Sequence, residues 1–85
     1  MEHNLSIVKE KFKELPNNIE AEQSVIGSIL VTNEIFDEIN TIISSANFYD
    51  PMHQKIFGAI ESLIYKGMLA NPITLKNYLR MRKMI

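Results

Sequence analysis

Three features of this 85-residue chain predict an all-α fold, a small bundle of about four short helices. Apolar residues recur at i, i+1, i+4, i+7 and i+8 in two segments, a one-face helical spacing, and no segment alternates with period two, so no strand is expected. Asp50-Pro51 and Asn71-Pro72 are helix-start signals, because an Asx side chain caps and Pro gives up an N–H that has no partner in the first turn. At 46% hydrophobic and 22% charged, with three Gly and three Pro, the chain is neither disordered nor fibrous.

In residues 1–16, Leu5, Val8, Phe12 and Leu15 share one helical face, and Lys9, Glu10, Lys11, Lys13 and Glu14 cover the rest. A helix of this length is marginal alone, and Pro16 ends it. The segment is expected as a flexible or weakly helical leader, with the domain proper over residues 17–85.

The first firm helix starts at Asn17 or Asn18, either of which can cap it, and Asn17 with Glu20 has capping-box spacing. Glu20 and Glu22 lie in its first turn, where the helix dipole favours carboxylates. Ile19, Ile26, Ile29 and Leu30 supply apolar surface, while Ala21, Ser24 and Ser28 form a small stripe suited to close helix approach. Gly27, which costs about 1 kcal/mol in a helix interior relative to Ala, is expected where another backbone packs against it.

Asn33 is expected to cap a second helix, joined to the first as an αα-hairpin. Its Ile35, Phe36, Ile39, Ile42 and Ile43 share one face, with Glu34, Asp37, Glu38 and Asn40 outside and Ser44-Ser45 closing it. The third helix, after Asp50-Pro51, repeats the pattern in Ile56, Phe57, Ile60, Leu63 and Ile64 and stops at Gly67. Phe48 and Tyr49, just ahead of its cap, are placed to fold over it and join it to the second helix. Asn71-Pro72 opens a fourth helix carrying Ile73, Leu75, Tyr78 and Leu79, with a basic last turn. Met81, Met84 and Ile85 then give the chain an apolar end, as in an interrupted domain. The predicted core is Ile26, Leu30, Phe36, Ile39, Ile43, Phe48, Tyr49, Phe57, Ile60 and Leu79.

Length allows one domain at most, and a domain this small buries a modest share of its surface. No apolar run is long enough to span a membrane, and the charged N-terminus lacks the apolar stretch of a secretory signal. With no Cys there is no disulfide framework, and a reducing cytoplasm fits. The net charge of −1 conceals an asymmetry: residues 17–64 carry seven acids and one base, Lys55, whereas residues 66–85 carry five bases and no acid. Complementarity to a helix C-terminus is the ordinary account of the basic end; contact with an acidic partner or nucleic acid is the sharper one.

Catalytic, cofactor and metal residues are not found. There is no G-x-x-x-x-G-K-[ST] loop, no G-x-G-x-x-G and no G-x-S-x-G elbow. His3 and His53 match no metal-ligand spacing, and His53, third in a capped helix, is expected as a surface or cap residue. Glu20 and Glu22, two apart on a helix, face different ways, which argues against paired-carboxylate catalysis. By itself the chain is expected not to be an enzyme.

Residues 19–30 (IEAEQSVIGSIL), followed by Phe48-Tyr49-Asp50-Pro51-Met52-His53 and by Pro72-Ile73-Thr74-Leu75, resemble in order and separation the amino-terminal domain of DnaB-family replicative DNA helicases. The likeness covers about residues 15–80, and Asn71 stands where the family commonly has Asp. It implies the non-catalytic collar of a hexameric motor, pairing with other copies of itself and docking primase. Single-stranded DNA would be met only through the full hexamer, and ATP and Mg only in a RecA-type ATPase domain that this chain lacks. The family's hairpin, which follows Leu79, is also absent. Candidate partner contacts are the acids Glu34, Asp37 and Glu38 and the basic end at Arg80, Arg82 and Lys83. The alternatives are a self-contained helical adaptor for helicase or primase, or a helix-turn-helix DNA-binding module with the fourth helix as reader. The acidic charge of the first three helices opposes the last.

Overall fold

The structure is a computed structural model that describes residues 18–83; the expected leader, Asn17, Met84 and Ile85 lie outside the described residues. The described residues form four α-helices and no strand. They are α1 (Ile19–Val31), α2 (Phe36–Asn40), α3 (Pro51–Tyr65) and α4 (Pro72–Lys83), with 3₁₀ turns at Asn33–Ile35 and Ser45–Asn47.

Capping explains three of the four starts. Asn18 is the cap of α1, its side-chain oxygen accepting the Ala21 N–H at 3.0 Å. Asp50 accepts the Met52 N–H at 2.8 Å, with Pro51 opening α3. Asn71 Oδ1 accepts from Ile73 and Thr74 N–H at 2.9 Å each, and Thr74 Oγ1 accepts the Asn71 N–H in return at 3.0 Å. This reciprocal pair satisfies orphan donors at the head of α4. At the far end of α3, Gly67 takes φ +77, its N–H reaches Ile64 O, and the Met68 N–H reaches Leu63 O. That is the Schellman arrangement, and its left-handed residue favours Gly.

α2 is shorter than its apolar pattern implies. Asn33 does not cap it, because Thr32 holds the cap position of the preceding 3₁₀ turn. Asn33 instead donates from Nδ2 to Ile29 O (2.8 Å) and Ala70 O (2.9 Å) and accepts the Ala70 N–H (2.8 Å). These bonds tie the end of α1 to the α3–α4 loop. Regular helix stops at Asn40, where Thr41 Oγ1 donates to Glu38 O at 2.7 Å. A side chain competing for backbone carbonyls, followed by two β-branched residues, disfavours another turn. The chain swings there, so Ile43 is buried and Ile42 is 56% exposed.

The core is one cluster. Phe36 and Phe48 both tilt against Phe57, with centroids 5.4 and 5.0 Å apart, and Val25, Ile29, Ile39, Ile60 and Leu63 close around them. Ile26 and Ile43 are buried with them, while Leu30 and Leu79 are half-buried against the cluster. Tyr49 is not core: it is 63% exposed, because the Asp50 cap turns it outward as Phe48 turns in. Ile73 is also exposed, one position off the buried stripe of α4.

Ala21, Ser24 and Ser28 do not form a close-approach stripe. Only Ala21 is buried; Ser24 is exposed, and Ser28 Oγ donates to Ser24 O within α1. Gly27 has no backbone against it, since a Cβ built there meets nothing within 4 Å. Its cost to the helix is not repaid by close packing.

Candidate interaction surface and its internal anchor

Among the described residues two polar side chains are buried, and they meet each other. Glu22, 0% exposed on α1, and His53, 8% exposed on α3, bring Oε1 and Nδ1 to 2.7 Å. With the carboxyl oxygen accepting, the imidazole proton lies on Nδ1. The same carboxyl group accepts the Tyr49 N–H on Oε2 and the Asp50 N–H on Oε1, the latter at 3.3 Å. Gln54 Nε2 donates to Phe48 O at 2.7 Å, and the Phe48 ring stands edge-on to His53 at 6.5 Å. Glu22 thus fastens the start of α3 to α1 from a distant point in sequence.

This overturns the expectation that His53 is a surface residue, and it gives the first-turn acid Glu22 a buried role that its position alone does not announce. The signal was present in the spacing, because residues 22, 25, 26 and 29 lie on one face of α1, and 53, 56, 57 and 60 lie on one face of α3. A polar residue in register with an apolar stripe is buried by its neighbours and must find a partner. Among the described residues, every buried side-chain nitrogen or oxygen has one.

The anchor faces inward and has the character of a structural bond. No group of three or more His, Cys, Asp or Glu among the described residues is placed to hold a metal ion. No described helix is long and apolar enough to cross a membrane. The surface carries the remaining chemistry. Glu34, Asp37 and Glu38 are exposed around the 3₁₀ turn and α2, and Arg80 and Arg82 are exposed on the last turns of α4, which Lys83 ends. The two sets sit on different elements.

Arg82 lies over the Tyr78 ring at 5.9 Å, with Lys66 Nζ over the same ring at 5.5 Å. Beside them an open groove of about 890 Å³ runs between α3 and α4.

Residues 14–85 match the DnaB-like helicase N terminal domain. The chain belongs to that family. Relatives include the replicative DNA helicase DnaB of Rickettsia felis, 45% identical over 65 residues, which are 76% of this chain and 13% of that protein. The DnaB of Buchnera aphidicola is 40% identical over 79 residues, 93% of this chain and 17% of that protein. The DnaB of Treponema pallidum is 33% identical over 65 residues, 76% of this chain and 15% of that protein. The chain therefore spans about a seventh of the length of the curated relatives it matches. No solved structure matches it.

Residues within the matched span have visible duties in this fold. Glu22, Phe48, Asp50, Pro51 and His53 build the α1–α3 anchor and its cap, and Thr74 and Leu75 close the head of α4 on the core. In this chain those residues therefore make long-range contacts as well as helix starts.

Proposed function

We propose that this domain is the amino-terminal collar element of a replicative DNA helicase acting in DNA replication, and that it works by assembling and docking rather than by catalysis. The match of residues 14–85 to the helicase N-terminal family carries this reading. ATP and Mg would belong to a separate ATPase domain, and single-stranded DNA would be engaged by the whole hexamer. The fitting compartment is the cytoplasm. Other copies of the domain and primase are the proposed partners, with Glu34, Asp37 and Glu38 on one side and Arg80, Arg82 and Lys83 on the other as contact residues.

The test is expression of the complete reading frame that encodes these residues. DNA-stimulated ATP hydrolysis and strand separation, with hexamers by light scattering, are the expected results. A product with no nucleotide-binding loop and no ATPase would overturn the helicase reading. Charge reversal of each set, with primase binding measured at low ionic strength, then tests the contacts. A set whose reversal leaves binding unchanged is not a contact.

A further inference from the structure

The groove between α3 and α4 has an apolar floor and a one-sign rim. Leu30, Met52, Ile56, Ala59, Leu75 and Leu79 supply its apolar lining, and Met52 is more than half exposed there. Four bases stand along it, Lys55 from α3 and Lys76, Arg80 and Arg82 from α4, and no carboxylate is among its lining residues. Lys76 and Arg80 are four apart on α4 and so point along the same edge.

We propose that this groove binds an amphipathic helical segment of a partner protein, with an apolar stripe flanked by Asp and Glu. The proposal deepens the assignment of Arg80 and Arg82 as contact residues and rests on it, but not on which protein the partner is. An apolar trough between two helices accepts a third through anchors at i, i+3, i+4 and i+7, and bases on both walls select acids on both flanks. α4 has 12 residues, so the occupant would be about three turns long at ~1.5 Å per residue. Nucleic acid fits less well. Single-stranded nucleic acid asks for free aromatic faces, and the one aromatic ring in the lining, Tyr78, already lies beneath Lys66 and Arg82.

Gly58 supplies a clean test. It lies in the wall of the groove, and a Cβ built on it meets nothing within 4 Å, so Gly58→Leu fills the trough while improving helix propensity in α3. The probe is a fluorescein-labelled synthetic helix with Leu at the four anchor positions and Glu beside them, titrated into the 85-residue chain and read by anisotropy and amide chemical shifts. A scrambled peptide of equal composition and a Lys-for-Glu version are controls. Saturable binding of the acidic peptide is expected, with shifts on α3 and α4 and a loss of about tenfold in affinity for both Gly58→Leu and Lys76→Glu.

Equal binding of a control peptide, or binding unchanged by Gly58→Leu, would overturn the proposal. So would an oligothymidylate that displaces the peptide from the same residues, which would assign the groove to nucleic acid. Concentration-dependent groove shifts without peptide, abolished by Gly58→Leu, would assign it to a second copy. Failure of any of these kinds leaves the helicase reading intact, because ATPase activity of the complete protein tests that separately.

Discussion

Glu22→Ala removes the acceptor of three hydrogen bonds that hold α3 to α1, and the cost can be worked out bond by bond. The His53 contact is buried and short at 2.7 Å, so an abandoned imidazole N–H costs about 1–3 kcal/mol. The Tyr49 and Asp50 amides are only partly buried, and water can reach them, so each loses about 1 kcal/mol or less, the 3.3 Å Asp50 bond contributing least. Relief from burying a carboxyl group and the better helix propensity of Ala offset part of this. The net is about 3 kcal/mol. A chain of 85 residues has about 4–13 kcal/mol in total on the usual per-residue scale, so the variant should be folded but fragile. Urea unfolding followed by far-UV circular dichroism should show a midpoint lowered by about 2–3 M, given the small m-value of a domain this size. Glu22→Gln can keep its oxygen on the Tyr49 N–H and donate its amide to His53 Nδ1 once the imidazole proton moves to Nε2. It forgoes the Asp50 bond, so it should lose about 1–2 kcal/mol. Combining Glu22→Ala with His53→Ala should recover about 1–3 kcal/mol relative to additivity. A Glu22→Ala variant within about 0.5 kcal/mol of the parent, the range of an ordinary surface change, would refute the anchor.

Three further outcomes follow from local geometry. Gly27→Ala and Gly58→Ala should each stabilise by about 0.5–1 kcal/mol, since both are mid-helix with open space for a Cβ, whereas Gly67→Ala at φ +77 should destabilise by about 1–2 kcal/mol; thermal melts of the three variants decide. Asn33→Asp should cost about 2 kcal/mol or more despite its similar shape, because it sets a carboxyl oxygen against the Ile29 and Ala70 carbonyls; hydrogen exchange at Ala70 N–H would report the loss, and full protection there would contradict it. Phe48→Ala should cost about 3–5 kcal/mol and Tyr49→Ala less than about 0.5, so similar urea midpoints for these neighbours would count against the described turn.

Local chemistry was the legible part of this fold. Asp50-Pro51, Asn71-Pro72 and Gly67 announce boundaries that the structure keeps, because caps and left-handed stops act within one turn of chain. Ile39, Phe57 and Ile60 are buried by the same periodicity that names them. What escaped was directed and long-range. Asn33 has the chemistry of a cap, and bonds to Ile29 O and to the distant Ala70 backbone draw it into another role. Glu22 and His53 each read as ordinary helix-start residues, and burial makes sense of either only with the other present. Tyr49 and Phe48 are both large and aromatic, so composition cannot say which one the cap turns inward. The exposed acids and bases remained candidates for a different reason: a charge on a surface satisfies itself in water, and nothing inside the domain records what meets it.

The Glu22 and Asn33 contacts have a common consequence for how the domain can present a surface. Apolar packing brings helices together but tolerates sliding, whereas directed bonds fix register. Glu22 bonds to residues 27, 28 and 31 positions away, and Asn33 bonds to Ala70 across 37 positions, so α1 is braced near its start and just beyond its end. Neither brace uses Glu34, Asp37, Glu38, Arg80 or Arg82. Reversing the charge on any one of those residues should therefore change stability by no more than about 1 kcal/mol, through the helix dipole at Asp37 and Glu38 or the Tyr78 ring beneath Arg82. A larger change in partner binding would belong to the surface itself. Brace variants should behave in the opposite way, losing binding only in proportion to the fraction unfolded. The pair of measurements, unfolding midpoint and binding constant, separates the two classes. A Glu22→Gln protein that stays folded yet fails to bind would mean that the α1–α3 junction is itself part of what the partner recognises.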